Sequence, residues 1–169
     1  MNHQDWVIAG PESCGKTTLW QALSTRLHLA HFVPEFNRIW LEENNIQPPY
    51  SEEQLTSLFA FCLDEYQDLP KQGMRIWDTD ELNLILWCES VGHTMRTVWM
   101  KRFLENQHRY ILCPPTIGWE YDPLRQGPES RDALWQGHLE LLEHKKYYVL
   151  QSESLNDRIE EVLWIIAHP

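Results

Sequence analysis

The chain has 169 residues, 43% of them hydrophobic, and a formal net charge of −11, so it is long enough for one domain with a substantial core. The acidic balance argues against a nucleic-acid partner, because phosphate backbones require a basic surface, and no apolar run reaches the length of a membrane span. Residues 1–5 carry no basic and apolar signal. The four cysteines are widely spaced with no C-x-x-C pair, as suits a reducing compartment. We therefore expect one cytoplasmic domain over residues 1–169 that binds a small molecule, with its oligomeric state left open.

The first elements predicted are a strand, a phosphate-binding loop and a helix. Residues 6–9 (WVIA) form a short apolar run typical of a buried strand. Residues 10–17 (GPESCGKT) fit G-x-x-x-x-G-K-S/T, the P-loop. Residues 18–27 then place apolar side chains at helical spacing. These flanks disfavour the alternative that a glycine-containing turn matches the motif by chance.

The spacing of this motif has a physical reason, since a loop that binds phosphate must surround it. Gly10 and Gly15 allow the backbone to direct its N–H groups inward at phosphate oxygens. Lys16 supplies a positive charge for the β- and γ-phosphates, and the Thr17 hydroxyl can ligate Mg²⁺. The residues predicted to bind ATP are Gly10, Pro11, Glu12, Ser13, Cys14, Gly15, Lys16, Thr17 and Thr18.

The rest of the chain alternates between strands and helices. Further strands are predicted at residues 29–33, 74–77, 110–113 and 147–150, and helices at 35–42, 51–70, 82–91, 93–104, 131–144 and 154–167. The second of these helices opens with a capping box, Ser51 and Gln54. Residues 114–130 lack periodicity and are predicted to form a lid loop. The alternation predicts an α/β fold, a five-stranded parallel sheet with helices on both faces, which binds ligands at the carboxyl ends of its strands.

Acidic side chains follow two of the predicted strands. Asp78 ends the third strand and is a candidate Mg²⁺ ligand and acceptor-binding residue, although an aspartate there can also cap a helix. Asp80 has the same two interpretations and is better placed to cap. Glu35, after the second strand, is the candidate general base for an acceptor hydroxyl; its alternative is a first-turn acid that complements the helix dipole. Arg38, three residues on, can pair with Glu35 or hold the acceptor.

Two arginines flank the flexible part of the predicted lid. Arg125 and Arg131 can approach the transferring phosphoryl group when such a loop closes, and we expect at least one of them to be catalytic. The alternative for each is an ordinary surface position. The eight histidines show no zinc-ligand spacing, and most of the nine tryptophans are expected to pack, with a minority free to stack on a ligand.

Taken in order, residues 10–19, 33–38, 77–80 and 119–125 resemble the ribosylnicotinamide kinase domain of the bacterial NadR proteins and related P-loop ATPases. The resemblance spans about the whole chain. It implies ATP-dependent phosphorylation of the 5′-hydroxyl of nicotinamide riboside to nicotinamide mononucleotide, a step of NAD biosynthesis. It also implies that Lys16 and Thr17 serve ATP and Mg²⁺. By the same match Glu35, Arg38 and Asp78 face the acceptor and metal, while Arg125 and Arg131 belong to the lid.

Three departures from the family pattern bear on this expectation. Cys14 stands where the family often has serine, a mild change because the backbone carries the loop's function. Pro123 stands where the lid motif often has glycine, which stiffens the loop. No H-x-G-H motif of a fused adenylyltransferase is present, so a stand-alone kinase is expected. A kinase for another nucleoside, nucleotide or coenzyme precursor remains an alternative, as does an ATP-binding regulatory module.

Overall fold

Five strands form one parallel sheet in the computed structural model, which describes residues 4–120, 124 and 130–169. The strands are β1 (Gln4–Ala9), β2 (His31–Val33), β3 (Met74–Asp78), β4 (Arg109–Leu112) and β5 (Lys146–Val149). Their order across the sheet is β2-β3-β1-β4-β5. All five predicted strands are confirmed. β2 is shorter than the predicted strand, because residues 28–30 form a turn in which Leu29 is fully exposed.

Within the described residues, six helices lie between successive strands and a seventh follows β5. They are α1 (Lys16–Ser24), α2 (Phe36–Glu43), α3 (Glu52–Asp68), α4 (Glu81–Val91), α5 (Arg96–Glu105), α6 (Arg131–Leu142) and α7 (Leu155–Ala167). The predicted capping box is present at α3, where the Ser51 and Gln54 side chains bond each other's backbone N–H. α4 ends at Gly92 in the left-handed region (φ 69°), as a glycine C-cap allows.

The two faces of the sheet carry separate apolar cores, because alternate strand residues point to opposite sides. Val7 and Ala9 of β1 pack with α2 through α6. Trp6 and Ile8 pack on the other face with α1 and α7. Helices on both faces of a parallel sheet confirm the α/β prediction. Within the described residues, no helix is both long and apolar enough to cross a membrane.

The register of the strands determines which residues meet at the carboxyl edge of the sheet. Ile8 of β1 is paired with Asp78 of β3, and Ala9 is paired with Leu112 of β4. The P-loop therefore leaves the sheet between the ends of β3 and β4. Glu35 follows β2 at the same edge, since Val33 is paired with Trp77. The P-loop, Asp78 and Glu35 therefore lie at the same edge of the sheet, as the sequence predicted.

Candidate active site

The P-loop has the backbone conformation of an anion-binding nest. Ser13 (φ 52°) and Gly15 (φ 81°) are left-handed, and such turns direct successive N–H groups to one side. At Gly10 a side chain is excluded, because a Cβ would lie 2.4 Å from the Cys113 carbonyl oxygen. α1 begins at Lys16, so its N-terminal partial charge adds to the nest.

The P-loop lysine is folded over its own loop. Lys16 Nζ donates to the Pro11 carbonyl at 2.7 Å and lies 3.8 Å from Cys14 Sγ. Thr17 and Thr18 are exposed in the first turn of α1. Like Lys16, they line a cavity beside the P-loop. A cation and two hydroxyls therefore border this cavity.

Two arginines from distant parts of the chain hold the loop in place. Arg131 Nη2 donates to the carbonyls of Ser13 (3.3 Å) and Ile117 (3.0 Å), so the structure places this predicted lid residue against the P-loop. Arg158 of α7 is 1% exposed, and its Nη1 donates to the Cys14 carbonyl at 2.8 Å. Its other donors bond the Ser152 carbonyl and the Thr116 hydroxyl.

Sequence reasoning missed Arg158, although a signal was present. Arg158, Val162 and Ile165 follow helical spacing on the buried side of α7, and an arginine on an apolar stripe needs partners. The loop carbonyls are those partners.

The pKa of the Cys14 thiol responds to the positive charges around this loop. It donates to the Pro11 carbonyl at 3.0 Å. Burial raises its pKa, but a hydrogen bond with Cys113 and the charges of Lys16, Arg158 and Arg131 outweigh burial and lower the pKa to about 6. The same hydrogen bond, together with burial, raises the pKa of Cys113. Charges that favour a thiolate also favour a phosphate.

Glu35, the predicted general base, is buried and accepts hydrogen bonds from two neighbouring side chains. It is the N-cap residue of α2 and is 5% exposed. Asn37 Nδ2 and Arg38 Nε donate to its two oxygens, each at 3.3 Å. Arg38 also contacts the exposed Glu42 at 3.5 Å. The sequence predicted the Glu35–Arg38 pair but not the contribution of Asn37.

The two aspartates after β3 have different surroundings. Asp78 is 2% exposed and ends its strand beside β1, so its predicted role at the metal and acceptor stays a prediction. Asp80 caps α4, since Oδ1 accepts from the Leu82 N–H at 2.9 Å. Its Oδ2 accepts from His108 Nδ1 and the Tyr110 hydroxyl, both at 2.8 Å. Asp80 performs its alternative role, the cap, and we no longer expect it to contact the acceptor.

At the N-terminal end of α4, Asp80 belongs to a buried polar network with Asp5, Glu81 and His108. His108 also lies 3.8 Å from Glu81 and 3.5 Å from Asp5. Burial lowers the pKa of His108, but the hydrogen bond and charge of Asp80, with the charges of Glu81 and Asp5, outweigh it and raise the pKa. Asp80, Glu81 and His108 come close enough together to share an ion, yet Arg102 already pairs with Glu81 at 3.3 Å. These contacts anchor the start of α4.

Two cavities lie side by side at the carboxyl edge. One, of about 450 Å³, is bordered by the P-loop, Ile117 and Leu155; we call it the nucleotide cavity. The other, of about 300 Å³, is lined by apolar and aromatic residues from α2, α4, α6 and the loop before α3; we call it the acceptor cavity. Glu12 and Arg38 line both cavities, so the two spaces meet there.

The acceptor cavity has an aromatic wall. Tyr50 and Trp87 lie in edge contact, with ring centroids 5.5 Å apart at 80°. The Tyr50 hydroxyl donates to the Leu124 carbonyl at 3.3 Å. Asn83 and His138 complete the polar part of the lining. The sequence contained no motif that could identify these four residues, because α4, α6 and the loop before α3 bring them together only in the fold.

One predicted catalytic residue falls outside the described residues. Arg125 lies there, together with residues 121–123 and 126–129. Its lid role, the effect of Pro123 and the lid boundaries of residues 114–130 therefore stay predictions.

Comparison with solved structures finds several proteins that share this fold. The NadR protein in complex with NR matches with a TM-score of 0.78 at 19% identity, covering 98% of this chain and 49% of that one. NadR in complex with NAD and AMP-PNP gives 0.72 at 20% identity, covering 95% and 48%. Thymidylate kinase from Ehrlichia chaffeensis gives 0.70 at 12% identity, covering 98% and 100%. At these identities the likeness shows a shared fold, and the chain spans about half the length of the NadR chains.

A comparison with curated protein sequences finds no match. A family model described as AAA domain matches residues 5–158, a range that runs from β1 through the P-loop to Arg158. The chain therefore belongs to this AAA domain family, and it shares with NadR the α/β fold that the resemblance predicted.

Proposed function

We propose that this protein is an ATP-dependent kinase that phosphorylates the 5′-hydroxyl of nicotinamide riboside to give nicotinamide mononucleotide. The observation that carries the proposal is the meeting of the two cavities at Glu12 and Arg38. A P-loop cavity supplies a place for a triphosphate, and a separate aromatic cavity supplies one for a second substrate. Glu35 lines the nucleotide cavity and accepts a hydrogen bond from Arg38, which lies where the two cavities meet.

The nucleotide cavity fits ATP and Mg²⁺ in its donor set. Lys16 and the backbone nest suit phosphate oxygens. Thr17 lines the cavity and Asp78 ends β3 at the same edge of the sheet, and both would offer the hard oxygen ligands that Mg²⁺ prefers. ATP supplies the phosphoryl group, and the metal neutralises charge on its phosphates. Arg131 already reaches the loop that would hold them.

At the junction, Glu35 accepts the proton that leaves the acceptor's 5′-oxygen as the phosphoryl group arrives. Asn37 and Arg38 fix the carboxylate in orientation. Arg38, shared between Glu35 and Glu42, keeps the charge of the base balanced while leaving it able to accept a proton. Positioning of this kind is the main contribution of a protein to phosphoryl transfer.

The acceptor cavity favours a nucleoside over a nucleotide. Of the described residues that line it, Arg38 is the one cation, and it is engaged with two carboxylates. An acceptor phosphate, as in the thymidylate kinase alternative, requires more positive charge. Trp87 and Tyr50 suit a flat cationic ring such as a pyridinium, and the structural likeness to NadR bound to NR supports this choice.

An acceptor panel tests the proposal. ATP consumption is measured with Mg²⁺ and either nicotinamide riboside, other nucleosides, nucleoside monophosphates or no acceptor. The proposal requires the highest kcat/KM with nicotinamide riboside and loss of turnover in Lys16→Ala, whose thermal melt should stay cooperative. A preference for monophosphates or other nucleosides would favour the alternative kinases. Slow hydrolysis that no acceptor stimulates would favour a regulatory module.

A further inference from the structure

We infer that Asn83 presents its side-chain carbonyl oxygen to the acceptor cavity and accepts a hydrogen bond from a sugar hydroxyl of the acceptor nucleoside, with His138 as the residue that sets this orientation. The inference rests on the proposed function for the identity of the acceptor. It makes the protein selective for ribosides over deoxyribosides. Neither residue belongs to a motif in the sequence.

The tautomer of His138 is fixed by its own helix. Nδ1 lies 2.6 Å from the carbonyl oxygen of Leu134, one turn earlier in α6. A carbonyl oxygen can only accept, so Nδ1 carries the hydrogen. In a neutral ring, Nε2 then holds a lone pair.

The ring is neutral because of where it lies. His138 is 2% exposed, and burial lowers its pKa to about 4, with the charge of Lys16 acting in the same direction. The Leu134 hydrogen bond and the charge of Asp80 oppose this shift without cancelling it. At neutral pH Nε2 is therefore a hydrogen-bond acceptor.

This acceptor determines which way the amide of Asn83 faces. His138 Nε2 lies 3.3 Å from Asn83 Oδ1, so with this amide orientation a neutral ring would set its lone pair against an oxygen that can only accept. Amide oxygen and nitrogen exchange places by a half-turn, and the hydrogen-bond partner decides between them. A lone pair on Nε2 requires the NH₂ group there, which turns the amide oxygen away from His138. Asn83 lines the acceptor cavity, and within the described parts of the chain His138 is its one hydrogen-bond partner.

The position of Asn83 along α4 identifies the sugar as its ligand. Asn83 lies in the first turn of α4, directly after the β3 end that carries Asp78. Trp87 comes four residues later, which is about 6 Å farther along the helix axis. When the 5′-hydroxyl of a nucleoside lies at Glu35, its sugar comes next along the axis of α4 and its ring lies beyond the sugar. The sugar therefore lies beside Asn83, and the ring lies beside Trp87 and Tyr50.

A cycle of substrate and protein changes tests this contact. The wild type and Asn83→Ala are compared on nicotinamide riboside and its 2′-deoxy and 3′-deoxy analogues. We expect loss of one hydroxyl to lower kcat/KM about tenfold or more in the wild type, as for a hydrogen bond in a partly buried site. Asn83→Ala should lose a similar factor on the riboside and little on that deoxy analogue. Additive losses for both analogues would overturn the inference.

The matched control is Ser90→Ala. Ser90 lines the same cavity, but its hydroxyl donates to the Trp87 carbonyl, so its removal should leave the riboside-to-deoxyriboside ratio unchanged. Nicotinic acid riboside, in which a carboxylate replaces the ring carboxamide, is compared as a further substrate. If Asn83→Ala couples to the ring carboxamide and not to a sugar hydroxyl, the sugar assignment is wrong.

A second readout does not depend on which nucleoside is accepted. Nitrogen-15 shifts of the His138 ring should show a neutral Nδ1–H tautomer at pH 7, whereas an Nε2–H or charged ring would overturn the orientation of Asn83. If nicotinamide riboside is not phosphorylated, the proposed function fails by itself. The cycle is then run on the ribo- and deoxy-forms of the nucleoside that the acceptor panel identifies, where additivity again overturns the inference.

Discussion

The Arg158 guanidinium donates to the Cys14 carbonyl at 2.8 Å and ties the last helix of the chain to its first loop. The same side chain bonds the Ser152 carbonyl and the Thr116 hydroxyl, each next in sequence to a residue that lines the nucleotide cavity. Three connections that would otherwise be separate loops are thereby joined at one buried cation. The shape of the P-loop thus depends on a residue 144 positions away in sequence.

The first prediction is that Arg158→Lys raises the KM for ATP about tenfold or more while the protein still folds. Lysine keeps the charge but cannot reproduce the planar fork that reaches three acceptors, and each lost charged hydrogen bond is worth about 1.5–3 kcal/mol. Steady-state kinetics and a thermal melt measure the two effects. Arg26→Lys is the control, since Arg26 is half exposed and pairs with Glu160 on the surface. Equal KM values in both variants would refute the role of Arg158.

The second prediction concerns Glu35. Glu35→Gln keeps the size of the side chain but removes the proton acceptor, so the acceptor-dependent rate should fall about 10²–10⁴-fold. ATP binding, measured by titration, should change little. Glu42→Gln serves as the control because Glu42 is the exposed partner of the same arginine. An unchanged rate in Glu35→Gln would remove Glu35 from the mechanism.

The third prediction uses the close approach of α6 to α4. A Cβ on Gly137 would lie 2.7 Å from Leu86 Cδ2, the flexible end of a side chain that lines the acceptor cavity. Gly137→Ala should push this methyl group into the cavity and raise the acceptor KM several-fold. The KM for ATP and the cooperativity of unfolding should hold, because alanine favours the helix by about 1 kcal/mol. An acceptor KM equal to that of the wild type would show that the cavity does not bind the acceptor.

The fourth prediction is a pH dependence of stability centred on His108. Its folded-state pKa is raised above 6.5, so the folded state binds the proton more tightly than the unfolded state. Burial, with the charge of Asp80, also raises the pKa of Glu81, which acts in the same direction. The stabilisation is complete below pH 6.5 and is lost as the pH rises through the folded-state value.

Thermal melts of the wild type and His108→Gln test this directly. The difference in Tm between them should be larger at pH 6 than at pH 9. Arg75 pairs with Asp5 and Arg102 with Glu81, and both pairs are left in place by this substitution. A difference that grows with pH would mean that His108 is neutral in the folded protein.

The sequence predicted well those features that depend on local patterns. The P-loop, the strand alternation and the Ser51–Gln54 capping box each depend on residues a few positions apart, and the structure has them all. The position of Glu35 followed from parallel strands ending at one edge. Asp80 was harder, because a cap and a ligand require the same residue type. Its role is shown in the fold by the Leu82 N–H that it caps and by its bonds to His108 and Tyr110.

The acceptor cavity could not be predicted because its parts are distant in sequence. Tyr50, Trp87 and His138 come from a loop and two helices, and nothing in their local patterns distinguishes them from packing residues. The orientation of Asn83 depends further on a tautomer, which no sequence pattern specifies. Arg158 was detectable in principle, since it interrupts the apolar stripe of α7.

The central claim is that the protein transfers a phosphoryl group to nicotinamide riboside, and the most direct measurement is the identity of the product. Protein, Mg²⁺, ATP and nicotinamide riboside are incubated, and the product is analysed by mass spectrometry and phosphorus NMR. The account predicts a species one phosphate heavier, with the phosphate on the 5′-carbon, that is absent with Lys16→Ala. ATP bound but no phosphorylated riboside formed would contradict it.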